Sequence, residues 1–302
     1  MCDAVAAVNA PTVRADRVEM VRGRALVGLG RFDDAIAADL AAANGALGSA
    51  LGRAGHPEDG ATALRRALAV EEPVLGPNHP EVARTLHDLA ELERVLGAPT
   101  ATPDFQRARA IFAAAHGTDT LEVADLDASL ANAALDHLDL DGAERFATQA
   151  RAELARSGID EPAEVSTIET VLGNIEQDRD RCAAAIPHYE RALDGSHRAG
   201  QTGRELAVAS TNLAGCLADV GRHADARAPI ERALAAWEVA GAPPERAQAL
   251  AILADVEAHA GNRKRAVEIA NDALAIIAKE DGGPFGPLRD YLHDQLAKWG
   301  TR

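Results

Sequence analysis

The chain has 302 residues, with 47 acidic side chains against 31 basic ones and a formal net charge of −16. A field of that sign repels nucleic acid and anionic membrane, and an aromatic content of 3% leaves little to stack on bases, so neither is an expected partner. Hydrophobic residues make up 47% of the chain, chiefly Ala and Leu with few β-branched runs, which is a helical composition.

At the amino terminus, Met1-Cys2-Asp3-Ala4-Val5 lacks the positive start of a signal peptide. No uninterrupted apolar run is long enough to span a bilayer, so a cytoplasmic protein is expected. Residues 1–13 read as an extension. A first irregular unit, about 14–43, shows in Gly23, Gly30-Arg31-Phe32-Asp33-Asp34-Ala35 and Ala42. The interval from Gly23 to Gly48 is too short for two full helices. Short helices near 33–43 and 45–53, broken at Asn44-Gly45, are therefore expected.

A regular pattern follows. Small residues within apolar runs, Gly48, Ala90, Ala131, Gly173, Ala214 and Ala254, recur every 40–42 residues. A second series, Ala67, Ala108, Ala150, Ala192, Ala233 and Ala273, keeps step with the first. A period of that size means stacked units, each burying its apolar face against its neighbours. The units lie at about 44–76, 80–117, 120–158, 161–200, 203–241 and 244–280.

Each unit reads as two helices. In 203–241, Leu206, Ala209, Leu213, Ala214 and Leu217 share one face, Gly221 stops the first helix, and Gly241 before Pro243-Pro244 stops the second. Equivalent breaks fall at Gly55, Gly97, Asp180 and Gly261 within units and at Gly76, Gly117, Gly158 and Gly200 between them. Leu138 stands where a glycine is expected, which leaves that turn to Asp139 and Asp141. Pro99 and Pro103 fall in the turn of unit 80–117 and predict a longer connection with a late second helix. Residues 287–302 read as a capping helix with Leu288, Tyr291, Leu292 and Leu296 facing inward. The expected fold is an all-α solenoid, with an array over 14–280 and a cap.

No residue set points to catalysis, a metal or a cofactor. Gly28-Leu29-Gly30 lacks a third glycine and a preceding strand. His188 and His197 lie nine residues apart and read as exposed helix residues rather than ligands. Asp136, Asp139, Asp141 and Glu144 depart from calcium-loop spacing and read as a solvated turn. Cys2, Cys182 and Cys216 form no close pair and read as free thiols, with Cys216 a packed structural one.

The small residues, the alanines Ala143, Ala185, Ala226 and Ala266, and the aromatics Phe105 and Tyr189 resemble the tetratricopeptide repeat. The period near 42, with Leu75-Gly76-Pro77-Asn78-His79-Pro80 leading into Thr85-Leu86-His87, resembles the kinesin-light-chain type. The resemblance covers roughly residues 14–280. It implies a right-handed superhelix of six to seven helix-turn-helix repeats, whose concave groove is lined by the first helix of each unit.

In that register the groove positions are Arg84, His87, Glu91 and Arg94; Asp125, Ala128, Asn132 and Leu135; Thr167, Thr170, Asn174 and Gln177; Val208, Thr211, Gly215 and Ala218; and Gln248, Ala251, Asp255 and Ala258. Asn132 and Asn174 are equivalent, and an amide there presents both a donor and an acceptor to a peptide backbone. Arg84 and Arg94 favour an acidic ligand segment. The matching positions His87, Ala128 and Thr170 lack the lysines of a carboxylate clamp, which argues against chaperone-tail binding.

The expected function is a non-catalytic scaffold that binds a protein or peptide. The stretch from Met1 to Phe32 is also similar to the entry into the repeat tails of bacterial, especially myxobacterial, serine/threonine kinases. The chain contains no His-Arg-Asp and no Asp-Phe-Gly, so a regulatory tail without its enzyme is one alternative. Weak self-association through the acidic outer face or the cap is another.

Overall fold

A computed structural model describes residues 32–278 and 285–300. The expectations for 1–31, which include the extension, Gly23, Cys2 and nearly all of the kinase-like stretch, lie outside the described residues, as do those for 279–284 and 301–302.

The described residues form helices α1 (Phe32–Arg53), α2 (Pro57–Leu75), α3 (Pro80–Val95), α4 (Ala101–His116), α5 (Leu121–Asp136), α6 (Leu140–Ser157) and α7 (Pro162–Asp178). They continue as α8 (Cys182–Arg198), α9 (Arg204–Asp219), α10 (His223–Ala240), α11 (Pro243–His259), α12 (Arg263–Ile277) and α13 (Gly286–Gly300). No strand occurs among the described residues.

Local chemistry sets the boundaries. Prolines open α2, α3, α7 and α11, where no intrahelical donor is lost. Thr120 and Asp139 cap α5 and α6 by accepting from the backbone N–H groups of Val123 and Gly142. The glycine at each expected break has a positive φ, as at Gly221, where it is 79°.

Two breaks are made without glycine, with Leu138 at φ 59° and Asp180 at φ 57°. Leu138 therefore takes the left-handed turn conformation itself, while Asp139 caps the next helix and Asp141 pairs with Arg179. A Cβ in that conformation costs about 1–2 kcal/mol, and the Leu138 side chain is exposed and packs on little. Leu138→Gly is expected to raise stability by about 1 kcal/mol in thermal denaturation, because part of the relieved strain is returned as added unfolded-chain entropy.

The helices fall into two compact units, one holding the described residues up to His137 with Ala152–Ser157, the other Leu138–Arg151 with Gly158 onward. In the first unit, α1 packs on α2 through glycines. A Cβ on Gly48 would lie 2.9 Å from the Gly60 carbonyl oxygen, and one on Gly60 would lie 2.8 Å from that of Gly48. Gly60 and Ala101 extend the Ala143, Ala185, Ala226 and Ala266 series toward the amino terminus, and both are buried.

The expected break at Asn44-Gly45 is absent, since α1 is one continuous helix. Asn44 donates its side-chain amide to the Leu40 carbonyl, and packing against α2 outweighs the low helix propensity of Gly45. The connection between α3 and α4 is long, as expected, and holds Pro99. Pro103, however, lies in the first turn of α4, where its missing N–H costs nothing.

In the second unit, Gly173 makes room for Tyr189, because a Cβ there would come within 2.5 Å of the phenol ring. Ala214 and Ala254 are fully buried at the corresponding crossings. Helix α13 seals Ile269, Ala273 and Ile277 with Leu292, while Leu288, Leu296 and Trp299 pack partly buried on the same cluster. Tyr291 is not buried among them. It stays partly exposed and donates its hydroxyl to Asp255.

Candidate functional site

In the first unit, the first helices of two hairpins, α3 and α5, place the candidate residues side by side. Arg84 Nη1 lies 2.5 Å from Glu81 Oε2, so its charge is neutralised on its own helix. Arg94 donates to Glu91 Oε2 at 3.2 Å and to Asp136 Oδ2 at 2.8 Å, one repeat away. Ser129 donates to Glu91 Oε1 at 2.6 Å. Asn132 is half-buried on α5 and makes no side-chain hydrogen bond among the described residues.

His87 Nε2 is 3.1 Å from Ser129 Oγ, and its Nδ1 is 3.6 Å from Asp125 Oδ2. The sequence of groups is that of a nucleophile, base and orienting carboxylate, but the geometry does not support attack. Ser129 is 5% exposed and gives its proton to Glu91 at 2.6 Å. It also sits inside α5, where the backbone N–H groups that would stabilise an oxyanion are committed to the helix. The trio ties α3 to α5. Asp125, whose side chain is half-exposed, titrates above the usual carboxylate range: partial loss of solvent on the crowded face is the main cause, His87 opposes it, and the carboxylates of Glu91, Asp88 and Glu122 add to it.

In the second unit the candidates are wired inward. Thr170 donates its hydroxyl to the Ser166 carbonyl at 2.8 Å. Asn174 Oδ1 accepts from the Tyr189 hydroxyl and from Asn212 Nδ2, both at 2.9 Å. Gln177 Oε1 lies 2.6 Å from the same phenol, whose single proton serves one amide oxygen at a time. Thr211 is buried, donates to the Ala207 carbonyl and accepts from Trp237 Nε1 at 3.0 Å. Burial raises the Tyr189 pKa and keeps the phenol neutral.

Ser129, Asn212 and the Tyr189 hydroxyl were not among the sequence candidates. The contacts of Ser129 span 42 and 38 residues, one repeat, so its signal lay in the period rather than in any local motif. His188 is held at Nδ1 by Glu169 at 2.7 Å rather than exposed. Burial would raise the Glu169 pKa, but hydrogen bonds from His188 and Arg191 outweigh it and hold this carboxylate low.

The four acidic residues read as a solvated turn disperse to separate tasks. Asp136 binds Arg94, Asp139 caps α6, and Asp141 and Glu144 bind Arg179. No group of three or more His, Cys, Asp or Glu with metal-binding geometry occurs among the described residues. No helix among them is long and apolar enough to cross a membrane. Cys182 and Cys216, read as free thiols with no close partner in sequence, are free but near one another: Cys182 packs against the buried cluster that holds Cys216, and its Sγ lies 3.5 Å from Asp219 Oδ2, three residues beyond Cys216.

Paired helices with small residues at their crossings, repeated along the described residues, define a helical-hairpin repeat protein. The tetratricopeptide repeat model matches residues 39–101, 164–238 and 205–279, more than half of the chain. The chain belongs to the tetratricopeptide repeat family.

Among solved structures, BtubC (BKLC) from P. vanneervenii is similar at 21% identity, covering 74% of this chain and 89% of that one with a TM-score of 0.59. Kinesin light chain-like repeats from Podosopora anserina are similar at 20% identity, covering 68% and 99% with a TM-score of 0.52. Pseudomonas aeruginosa pilF is similar at 15% identity, covering 82% and 95% with a TM-score of 0.56. At these identities the likeness is one of fold. No curated protein matches the chain.

Proposed function

We propose that the chain is a non-catalytic scaffold that binds a protein or peptide segment along the first-helix faces of its repeats. Tetratricopeptide repeats commonly serve this purpose. The observation that carries the reading here is Asn132, whose half-buried amide has no partner of its own among groups that are otherwise paired. Such an amide offers a donor and an acceptor to an extended backbone whatever the ligand's sequence. Asn174 joins the same reading through its Nδ2, since its oxygen is already engaged.

The test is a pull-down from the source cell with wild type and Asn132→Ala, alongside their melting temperatures. Asn132→Ala is expected to lose the captured partners while melting within about 0.5 kcal/mol of wild type, because no internal hydrogen bond is removed. Equal capture by both proteins would sink the reading. Asn174→Ala is the less discriminating variant, as it also breaks contacts to Tyr189 and Asn212.

A further inference from the structure

Cys182 is the first residue of α8, and Cys216 lies in the last turn of α9. They belong to consecutive hairpins whose helices α8 and α9 pack together. Cys182 packs against the apolar cluster that contains Cys216, and its Sγ lies 3.5 Å from Asp219 Oδ2. Cys216 is fully buried, whereas Cys182 is partly exposed and lines a surface recess of about 720 Å³ with Gln177, Asp178, Asp180 and Asp219. A small oxidant therefore reaches one sulfur from solvent, and the second sulfur waits behind it.

We propose that Cys182 and Cys216 form an oxidation site, at which a peroxide converts the thiol pair into a disulfide that staples α8 to α9. In the first step the Cys182 sulfur attacks hydrogen peroxide, forming an S–O bond, breaking the O–O bond and releasing water. In the second, Cys216 attacks the Cys182 sulfenic acid, forming the S–S bond and releasing a second water. Two thiols and one peroxide thus give one disulfide and two waters, each sulfur losing one electron and each peroxide oxygen gaining one.

The environment sets when this happens. Burial pushes both thiols up in pKa and Asp219 adds to it, so little thiolate is present near neutrality. The pair is consequently slow to oxidise, faster as pH rises, and responsive to sustained rather than transient peroxide. Tyr189, whose hydroxyl contacts Asn174 and Gln177, belongs to the same buried cluster as Cys216, on which Cys182 packs. The staple thus fixes the junction of two hairpins beside the second unit's candidate face.

The experiment uses the full chain in a Cys2→Ser background, reduced, treated with hydrogen peroxide, blocked with N-ethylmaleimide under denaturing conditions and digested without reduction. The expected result is a peptide pair joining Cys182 to Cys216, two hydrogens lighter than the separate thiol peptides and separated by dithiothreitol. The intact oxidised protein is expected to melt about 5 °C or more above its reduced form, as a cross-link of this span constrains the unfolded chain. Cys182→Ser, a mild change at a partly exposed site, is expected to abolish both effects and leave Cys216 free for alkylation. Recovery of both cysteines as maleimide adducts, or of Cys182 as a sulfinic acid beside alkylated Cys216, would overturn the proposal.

Discussion

Arg109→Met is expected to destabilise the first unit by about 3–5 kcal/mol, measured by urea denaturation, the largest effect of any single substitution considered. Arg109, on α4, forks onto Asp127 of α5 at 2.6 and 2.9 Å and reaches Glu153 of α6 at 2.9 Å. Asp127 is 0% exposed and Glu153 only 2%. Removing the guanidinium leaves Asp127 buried without its counter-charge, a loss that methionine's added apolar contact does not offset. Arg94→Met is the control, because Asp136 is exposed and remains solvated, so a loss below about 1 kcal/mol is expected. Equal effects at the two sites would show that water reaches Asp127.

Gly60→Ala is expected to cost about 2 kcal/mol, while Gly45→Ala, fifteen residues earlier, is expected to gain about 1 kcal/mol. At Gly60 an added Cβ meets the Gly48 carbonyl oxygen at 2.8 Å and Leu92 Cδ1 at 2.7 Å, and the backbone contact yields only if α1 and α2 separate. At Gly45 no described atom lies within 4 Å, so the substitution changes helix propensity alone. Melting curves of the two variants should therefore move in opposite directions. A gain at both would mean that the α1–α2 crossing is looser than the structure shows.

The candidate face differs between the two units in how much of it is already in use. Arg84 and Arg94 both answer carboxylates of their own wall, so in the first unit the unbalanced charge is negative around Asp88, Glu122 and Asp125. That weakens the expectation of an acidic ligand segment, which rested on the arginines considered alone. In the second unit, Thr211 and the oxygen of Asn174 hold the protein's own Trp237, Tyr189 and Asn212. Position in the repeat told which helix face these residues occupy. It did not tell whether their hydrogen bonds were spoken for.

The sequence by itself determined the helical hairpins, their period, the glycine stops and the small residues at the crossings, because each follows from backbone conformation or from repetition within one unit. It misjudged Asn44-Gly45, where the local propensity to break is overruled by packing on α2. It misjudged Leu138, which itself takes the left-handed conformation that glycine takes at most of the other breaks. Only the tertiary structure decided that Ser129 links His87 to Glu91, that Arg109 neutralises two buried carboxylates, and that Cys182 packs on the cluster holding Cys216. The hydrogen bonds among them join residues on different helices at separations from 18 to 44 residues. Their existence depends on the rotation of one helix against the next, a quantity that hydrophobic periodicity fixes to a face but not to an atom.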